Sequence, residues 1–412
     1  MLGRDLGTIP AVTRSLLSVV LACALIAAAC SSDGGTAPTT MEPTTTVAPT
    51  TSSSTTTTPP TTTTTPPRVR TLRGDLPEPL LTAAEDFYSW LVDRSNPKPG
   101  KLADGLVKRV EGVKLDPGGM SARGGVAVLK NGDRVGAVRT KDGTLVMVRT
   151  GDGWEIVATL LEGERPWIAG ANQRTMLVLG SDARPGQDQT RLRADSVHLL
   201  TLNLETGEGA FVGFPRDSWI GGRKLTDHMP SGGPEYMVDL IEDTTDLEIG
   251  NYALVGFEGF RALVKELGSL EIDLPTRMRS GNTWDNFPEG PQTLTPSRTL
   301  QLARIRKGLP AGDFDRSFNQ GLVTLAAMTM IKSMGIGHLP RWVATFDEHG
   351  FTDLNTTELA TWMAAAYVAT PETVTNRVLP ASVGSVGAAS VVFLGDAAEG
   401  VFRDLEDGLL DD

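Results

Sequence analysis

The C-terminal part of the sequence, residues 168–412, predicts an α/β domain: a mixed central sheet covered by helices. Three observations predict it. The runs at 175–179, 197–204 and 210–214 are β-rich. Phe257, Phe260, Leu263, Val264 and Leu267 recur at helical spacing, as do Phe318, Leu322, Leu325, Met328 and Ile331. Strand and helix patterns alternate along the chain rather than falling into separate blocks.

The elements follow in order. Arg4 and Arg14 precede an apolar run at 16–29, about as long as a signal-peptide core and short for a spanning helix, which takes roughly 20 residues. The run ends in Ala27-Ala28-Ala29-Cys30, a lipobox-like pattern that makes residues 1–30 a lipoprotein-type signal peptide and Cys30 the lipidation site. Ordinary cleavage and an uncleaved signal anchor are the other readings, and all of them place the remainder outside the cytoplasm.

Residues 31–67 are almost entirely Thr, Pro and Ser. Such a segment has nothing to bury against its ordering entropy and predicts a disordered tether. Extended as polyproline it reaches on the order of 100 Å.

Residues 68–165 predict a small α+β accessory module. Leu80, Ala84, Phe87 and Leu91 mark a helix, and four β-rich runs follow, separated by Asn131-Gly132, Asp142-Gly143 and Asp152-Gly153. No chemistry is visible there, and a spacer or docking role is the plain expectation. In the second domain Thr206-Gly207 separates two strands. Gly268 caps a helix, a strand follows at 270–274, and residues 356–367 and 390–394 read as helix and strand.

Composition narrows the chemistry. The formal net charge of −12 argues against a nucleic-acid partner. The two cysteines, Cys23 and Cys30, both precede the tether, so the rest has no disulfide, thiolate metal site or cysteine nucleophile. His198, His228, His338 and His349 are not paired at zinc-ligand spacing. Catalysis therefore rests on carboxylates, arginines, hydroxyls or a hard metal ion.

Arginines and aspartates gather at predicted strand ends: Asp182 and Arg184, Arg193 and Asp195, Arg216 and Asp217, then Arg304, Arg306 and Lys307, then Asp313, Asp315 and Arg316, with Gln320 a helical turn on. Guanidinium groups fork onto phosphate oxygens, and several near one point are costly unless an anion neutralises them. Mg²⁺ prefers one or two carboxylates together with phosphate oxygens and water. The pattern suggests a polyphosphate site. Taken singly, Arg216-Asp217 reads as a surface ion pair and Arg304-Ile305-Arg306 as a solvated basic face.

The ordered set says more. Leu177-Val178-Leu179-Gly180-Ser181-Asp182-Ala183-Arg184, Arg193-Ala194-Asp195-Ser196, Phe214-Pro215-Arg216-Asp217, Lys224-Leu225 with Gly232-Gly233, Arg304-Ile305-Arg306-Lys307 and Gly312-Asp313-Phe314-Asp315-Arg316 together resemble the LytR-CpsA-Psr family of cell-wall glycopolymer transferases over residues 168–412. The resemblance implies an α/β/α sandwich with an apolar groove for a lipid tail. The implied reaction moves a glycan with one phosphate from a polyprenyl-pyrophosphate carrier to peptidoglycan, on the outer face of the membrane. By position, Asp182 and Asp195 would hold Mg²⁺. Arg184, Arg193, Arg216, Arg304, Arg306 and Arg316 would bind the substrate, with Gln320 beside it, and Arg193, Asp195, Arg216, Arg304 and Arg306 would carry catalysis. The helix bearing Phe318, Leu322 and Leu325 either lines the groove or packs in the core.

Thr226 stands where the family usually has Asn, and Asn319 where an arginine commonly precedes the glutamine. Two rivals use the same arginines: a non-catalytic lipoprotein that binds such glycans, and a hydrolase that cleaves the carrier pyrophosphate.

Overall fold

The structure is a computed structural model that describes residues 70–279 and 286–410. The expected signal peptide, the lipidation of Cys30 and the Thr/Pro tether lie outside the described residues.

The first helix, α1 (Glu78–Val92), opens with an acidic residue after Pro77 and buries the predicted stripe Leu80, Ala84, Phe87 and Leu91. An antiparallel meander follows: β1 (Arg123–Val128), β2 (Arg134–Thr140), β3 (Gly143–Arg149), β4 (Glu155–Leu161) and the short β5 (Trp167–Ile168). Gly132 takes a positive φ of 88° in the loop between β1 and β2. Gly143 opens β3 opposite Thr140, so the hairpin turns on Lys141-Asp142 instead of the expected Asp142-Gly143.

The second domain runs β6 (Gln173–Ser181), β7 (Ala194–Asn203), β8 (Glu208–Gly213), α2 (Met229–Thr245), β9 (Asn251–Val255), α3 (Phe257–Glu266), α4 (Pro296–Arg304), α5 (Asp313–Met334), α6 (Leu339–His349), β10 (Gly350–Thr352), α7 (Thr356–Val368), β11 (Val374–Val378) and α8 (Asp396–Asp404). Six of these strands form one sheet in the order β10-β9-β6-β7-β8-β11. The β9–β6 and β8–β11 pairs are parallel and the other three antiparallel, which is the mixed sheet the sequence predicts.

Side chains alternate across this sheet with period two. Leu177, Leu179, Val197, Leu199, Ala210 and Val212 pack with Met237 and Ile241 of α2 and with Val401 and Phe402 of α8. Met176, Leu200, Leu202 and Phe211 face the other way, onto α5, α6 and α7. Those helices are themselves covered by the accessory meander: Val135, Val146, Val148 and Val157 join Val343, Phe346, Leu359 and Trp362 in one core. The opposite face of the meander, with Leu145, Met147 and Ile156, packs on α1. The module is thus an outer sheet-and-helix layer of a shared core, not a free-standing spacer.

Local signals place the helices. α7 has a full capping box, with Asn355 accepting from the Glu358 N–H and Glu358 accepting from the Asn355 N–H. α4 starts at Pro296 behind Thr295, whose hydroxyl accepts from the Arg298 N–H. Among the described residues, no single helix is long and apolar enough to cross a membrane.

Candidate active site

A cavity of about 770 Å³ opens between β6–β7 of the sheet and the helices α3, α4 and α5. Its apolar lining comes from Val178, Leu179, Val255, Phe257, Phe260, Leu300 and Val323. Its charged lining comes from Arg216, Arg304, Arg306, Lys307 and Arg316, set against one carboxylate, Asp195. A groove that is both apolar and cationic suits an amphiphile with an anionic head.

Backbone irregularities position the charges. Gly180 pairs with Ser196 but Ser181 pairs with Ala194, so Asp195 is the extra residue of a β-bulge at the start of β7. Such a bulge re-aims a side chain. Arg216 follows β8 through a Pro215 turn in which the Ser218 N–H donates to the Pro215 carbonyl at 2.9 Å. Arg304 closes α4, and the chain then extends at Ile305 to present Arg306. Arg316 lies in the first turn of α5.

Asp195 is held by two cations. Arg216 Nη1 donates to its Oδ1 at 2.5 Å, and Arg316 Nη1 lies 4.0 Å from its Oδ2. Arg316 also ion-pairs with Asp313 one turn earlier, and both are buried. Asp313 Oδ2 accepts from the Arg216 N–H at 3.1 Å. Asp217 sits 3.2 Å from Lys224 Nζ and 3.5 Å from Arg306 Nη2. Burial lowers the pKa of Arg316. For Arg216 burial acts the same way, but Asp195, Asp217 and Asp313 outweigh it and hold its pKa above the usual value. The Nε donors of Arg216 and Arg316 are buried and make no hydrogen bond. Arg216 Nε nonetheless lies 3.9 Å from Asp217 Oδ1 and 4.0 Å from Asp313 Oδ1, within ion-pair range of both carboxylates.

Arg304 differs. It is exposed, its guanidinium lies 4.2 Å from the centroid of Phe257, and among the described residues no carboxylate pairs with it. Gln320 lines the cavity, and its amide donates to the Ala303 carbonyl at 3.0 Å, tying α5 to the end of α4.

The family comparison matches the LytR_cpsA_psr family model to residues 159–401, well over half of the chain. The chain belongs to the LytR-CpsA-Psr family. It is 30% identical over 164 residues to the polyisoprenyl-teichoic acid–peptidoglycan teichoic acid transferase TagU of Oceanobacillus iheyensis, covering 37% of this chain and 50% of that protein. The chain spans about half the length of the curated relatives it matches. Among solved structures, B. subtilis TagV superposes with a TM-score of 0.50 at 21% identity, over 58% of this chain and 99% of that chain. The gbs0355 protein of Streptococcus agalactiae gives 0.51 at 18% identity, over 58% and 90%. These two likenesses show a shared fold.

Within the LytR-CpsA-Psr domain the expected site residues divide. Asp195, Arg216, Arg304, Arg306, Arg316 and Gln320 line one cavity. Arg184 does not: it is exposed in the loop after β6, where its N–H donates to Gln187. Arg193 is also exposed, and its Nε pairs with Asp227 at 2.9 Å, outside the lining. Phe318, Leu322 and Leu325 do not line the groove either. The cavity face of α5 carries Arg316, Gln320, Val323 and Thr324, while Leu322 and Leu325 pack into the cores on its flanks. Asn319 is buried against Met278, and Thr226 is buried beside the Arg216 turn, so neither departure from the family pattern lines the cavity.

Asp182 is absent from the cavity lining but close enough to Asp195 to feel its charge. Burial and the Asp195 charge raise the pKa of Asp182. Two carboxylates that repel each other are relieved by a cation. Among the described residues no three histidine, cysteine or carboxylate groups converge as a metal cage. Magnesium asks for no more than a carboxylate pair when phosphate and water complete its shell.

Proposed function

We propose that this LytR-CpsA-Psr protein transfers a glycopolymer, with one phosphate, from a polyprenyl-pyrophosphate carrier to a peptidoglycan hydroxyl. It would act on the outer face of the membrane, tethered through a lipid on Cys30. The observation that carries this reading is the convergence of Arg216, Arg304, Arg306 and Arg316 on one cavity that also has an apolar wall of Val178, Val255, Phe257, Phe260 and Val323. The name of the Oceanobacillus relative, a teichoic acid transferase acting on a polyisoprenyl-linked polymer, supports it.

The residues suit the chemistry. The sugar hydroxyl oxygen attacks the phosphorus next to the glycan. The bridging P–O bond breaks, polyprenyl phosphate leaves, and the hydroxyl proton is released. Arg216 and Arg316, with Arg304 and Arg306, neutralise the oxygens of the breaking pyrophosphate, the larger part of what phosphoryl transfer asks of a protein. Asp182 and Asp195 would hold Mg²⁺, which when bound adds charge neutralisation on the phosphates. Phe257, Phe260 and Val323 would receive the prenyl chain.

Calorimetry tests the binding step. The full-length protein should bind a short-chain polyprenyl pyrophosphate with Mg²⁺, and Arg216→Ala and Arg316→Ala should each weaken it roughly ten-fold or more, as expected for charge-assisted hydrogen bonds. Equal affinity for a neutral prenyl alcohol would contradict the reading.

A further inference from the structure

A second polar chain reaches the same cavity from behind. Ser196 lines it directly after Asp195, and its Oγ lies 3.1 Å from His198 Nδ1. His198 Nε2 lies 3.2 Å from the Ser317 carbonyl oxygen and 3.2 Å from Ser317 Oγ. The imidazole is fully buried and stacked on Phe211 at 4.5 Å between centroids. The network is housed by two glycines. A Cβ on Gly213 would fall 2.1 Å from Ser317 Oγ and 2.9 Å from His198 Nε2, and one on Gly180 would fall 2.7 Å from the Ser196 Cβ.

The Ser317 hydroxyl can donate to Nε2 or accept from it, so the carbonyl contact is the one that bears on the tautomer. A carbonyl oxygen only accepts, and at 3.2 Å a bare Nε2 would set its lone pair against the carbonyl's, so this contact favours the proton on Nε2. A neutral ring carries one N–H, which leaves Nδ1 bare and makes the Ser196 hydroxyl donate to it. The Ser196 oxygen then offers the cavity lone pairs and no proton. A phosphate oxygen has nothing to donate to it, whereas a sugar hydroxyl does.

We propose that Ser196, oriented by His198 as a positioning residue, accepts the hydrogen bond of the attacking sugar hydroxyl beside Asp195. This inference rests on the transfer reaction proposed above. No proton need pass to the imidazole. Its role is to keep the serine proton turned away from the cavity.

Two measurements on the full-length protein test it. Nitrogen-15 spectra of histidine-labelled protein, with the His198 signal assigned by its loss in His198→Asn, should show the Nε2–H tautomer, and an Nδ1–H tautomer would overturn the proposal. Steady-state transfer should show kcat/KM for the peptidoglycan oligomer falling about ten-fold in Ser196→Ala, the scale of one lost hydrogen bond. The dissociation constant for the polyprenyl-pyrophosphate donor should not change, and Ser196→Thr should restore the rate. Unchanged acceptor kinetics in Ser196→Ala, or a loss confined to donor affinity, would overturn it. Failure of the transfer reading would show as an inactive wild type. Failure of this inference shows only in variants measured against an active one.

Discussion

Asp313 and Arg316 stand one turn apart at the start of α5 and form a buried ion pair directly beneath the cavity. The aspartate neutralises Arg316 and also accepts from the backbone of Arg216, so one side chain organises two of the cations that face the cavity. Removing it leaves the buried Arg316 guanidinium with only the more distant Asp195, 4.0 Å away, as counter-charge. Asp313→Ala should lower stability by about 3–5 kcal/mol, the scale for breaking one side of a buried pair. Urea denaturation checks this, and a change below about 1 kcal/mol would show the pair to be solvent-screened.

Arg304 should behave oppositely. It is exposed and stacked on Phe257. Arg304→Ala should therefore keep the melting temperature while weakening donor binding. The stability change should stay within about 0.5 kcal/mol, as for other exposed substitutions. Calorimetry and thermal melts on the same preparation separate the two effects.

His198 gives the protein an acid-side weakness. Burial, with the Arg316 charge nearby, pushes its pKa from 6.5 to about 4. Below pH 6.5 the unfolded chain takes up a proton that the native state refuses, so stability falls as pH drops towards 4. The loss over that window should be about 3 kcal/mol. Denaturation at pH 7 and pH 4.5 should show a smaller loss in His198→Asn than in the wild type.

The accessory module should prove inseparable. Val135, Val146, Val148 and Val157 cover Val343, Phe346 and Trp362 of the second domain. Uncovering several such side chains at about 1.5–3 kcal/mol each approaches the whole stability of a domain, about 5–15 kcal/mol. A chain beginning at residue 169 should aggregate or remain unfolded by circular dichroism, while the intact chain gives one cooperative transition.

The sequence showed the fold class because strand and helix periodicities are local. The α1 stripe, the helix at 356–367 and the 206–207 turn could all be read directly, whereas the Asn355–Glu358 capping box emerged only in the structure. It showed most of the arginines because their chemistry is specific to type. It did not show which of them converge. Arg184 and Arg193 carry the same charge as Arg216 but lie exposed in the loop that joins β6 to β7. The roles of Asp313 and Asp217 were equally hidden, since the partners they bind are set by the packing of α5 against the turn after β8. The Asp313–Arg316 spacing of three residues was the one sequence signal for them. The Ser196–His198–Ser317 chain links residues 119 apart from His198 to Ser317, beyond any local pattern. Four of the meander's five strands were visible, the two-residue Trp167–Ile168 strand being too short to read, and its second buried face was not visible, because a sheet covered on both sides loses the clean alternation that marks a solvent face.

The most direct test of the transfer reaction uses the full-length protein with a short-chain polyprenyl-pyrophosphate glycan, Mg²⁺ and peptidoglycan oligomers, followed by mass spectrometry. A glycan–phosphate–peptidoglycan adduct, absent with Arg304→Ala, is the predicted result. Free glycan phosphate in place of the adduct, or tight donor binding with the donor left intact, would contradict it and point to hydrolysis or to carriage without chemistry.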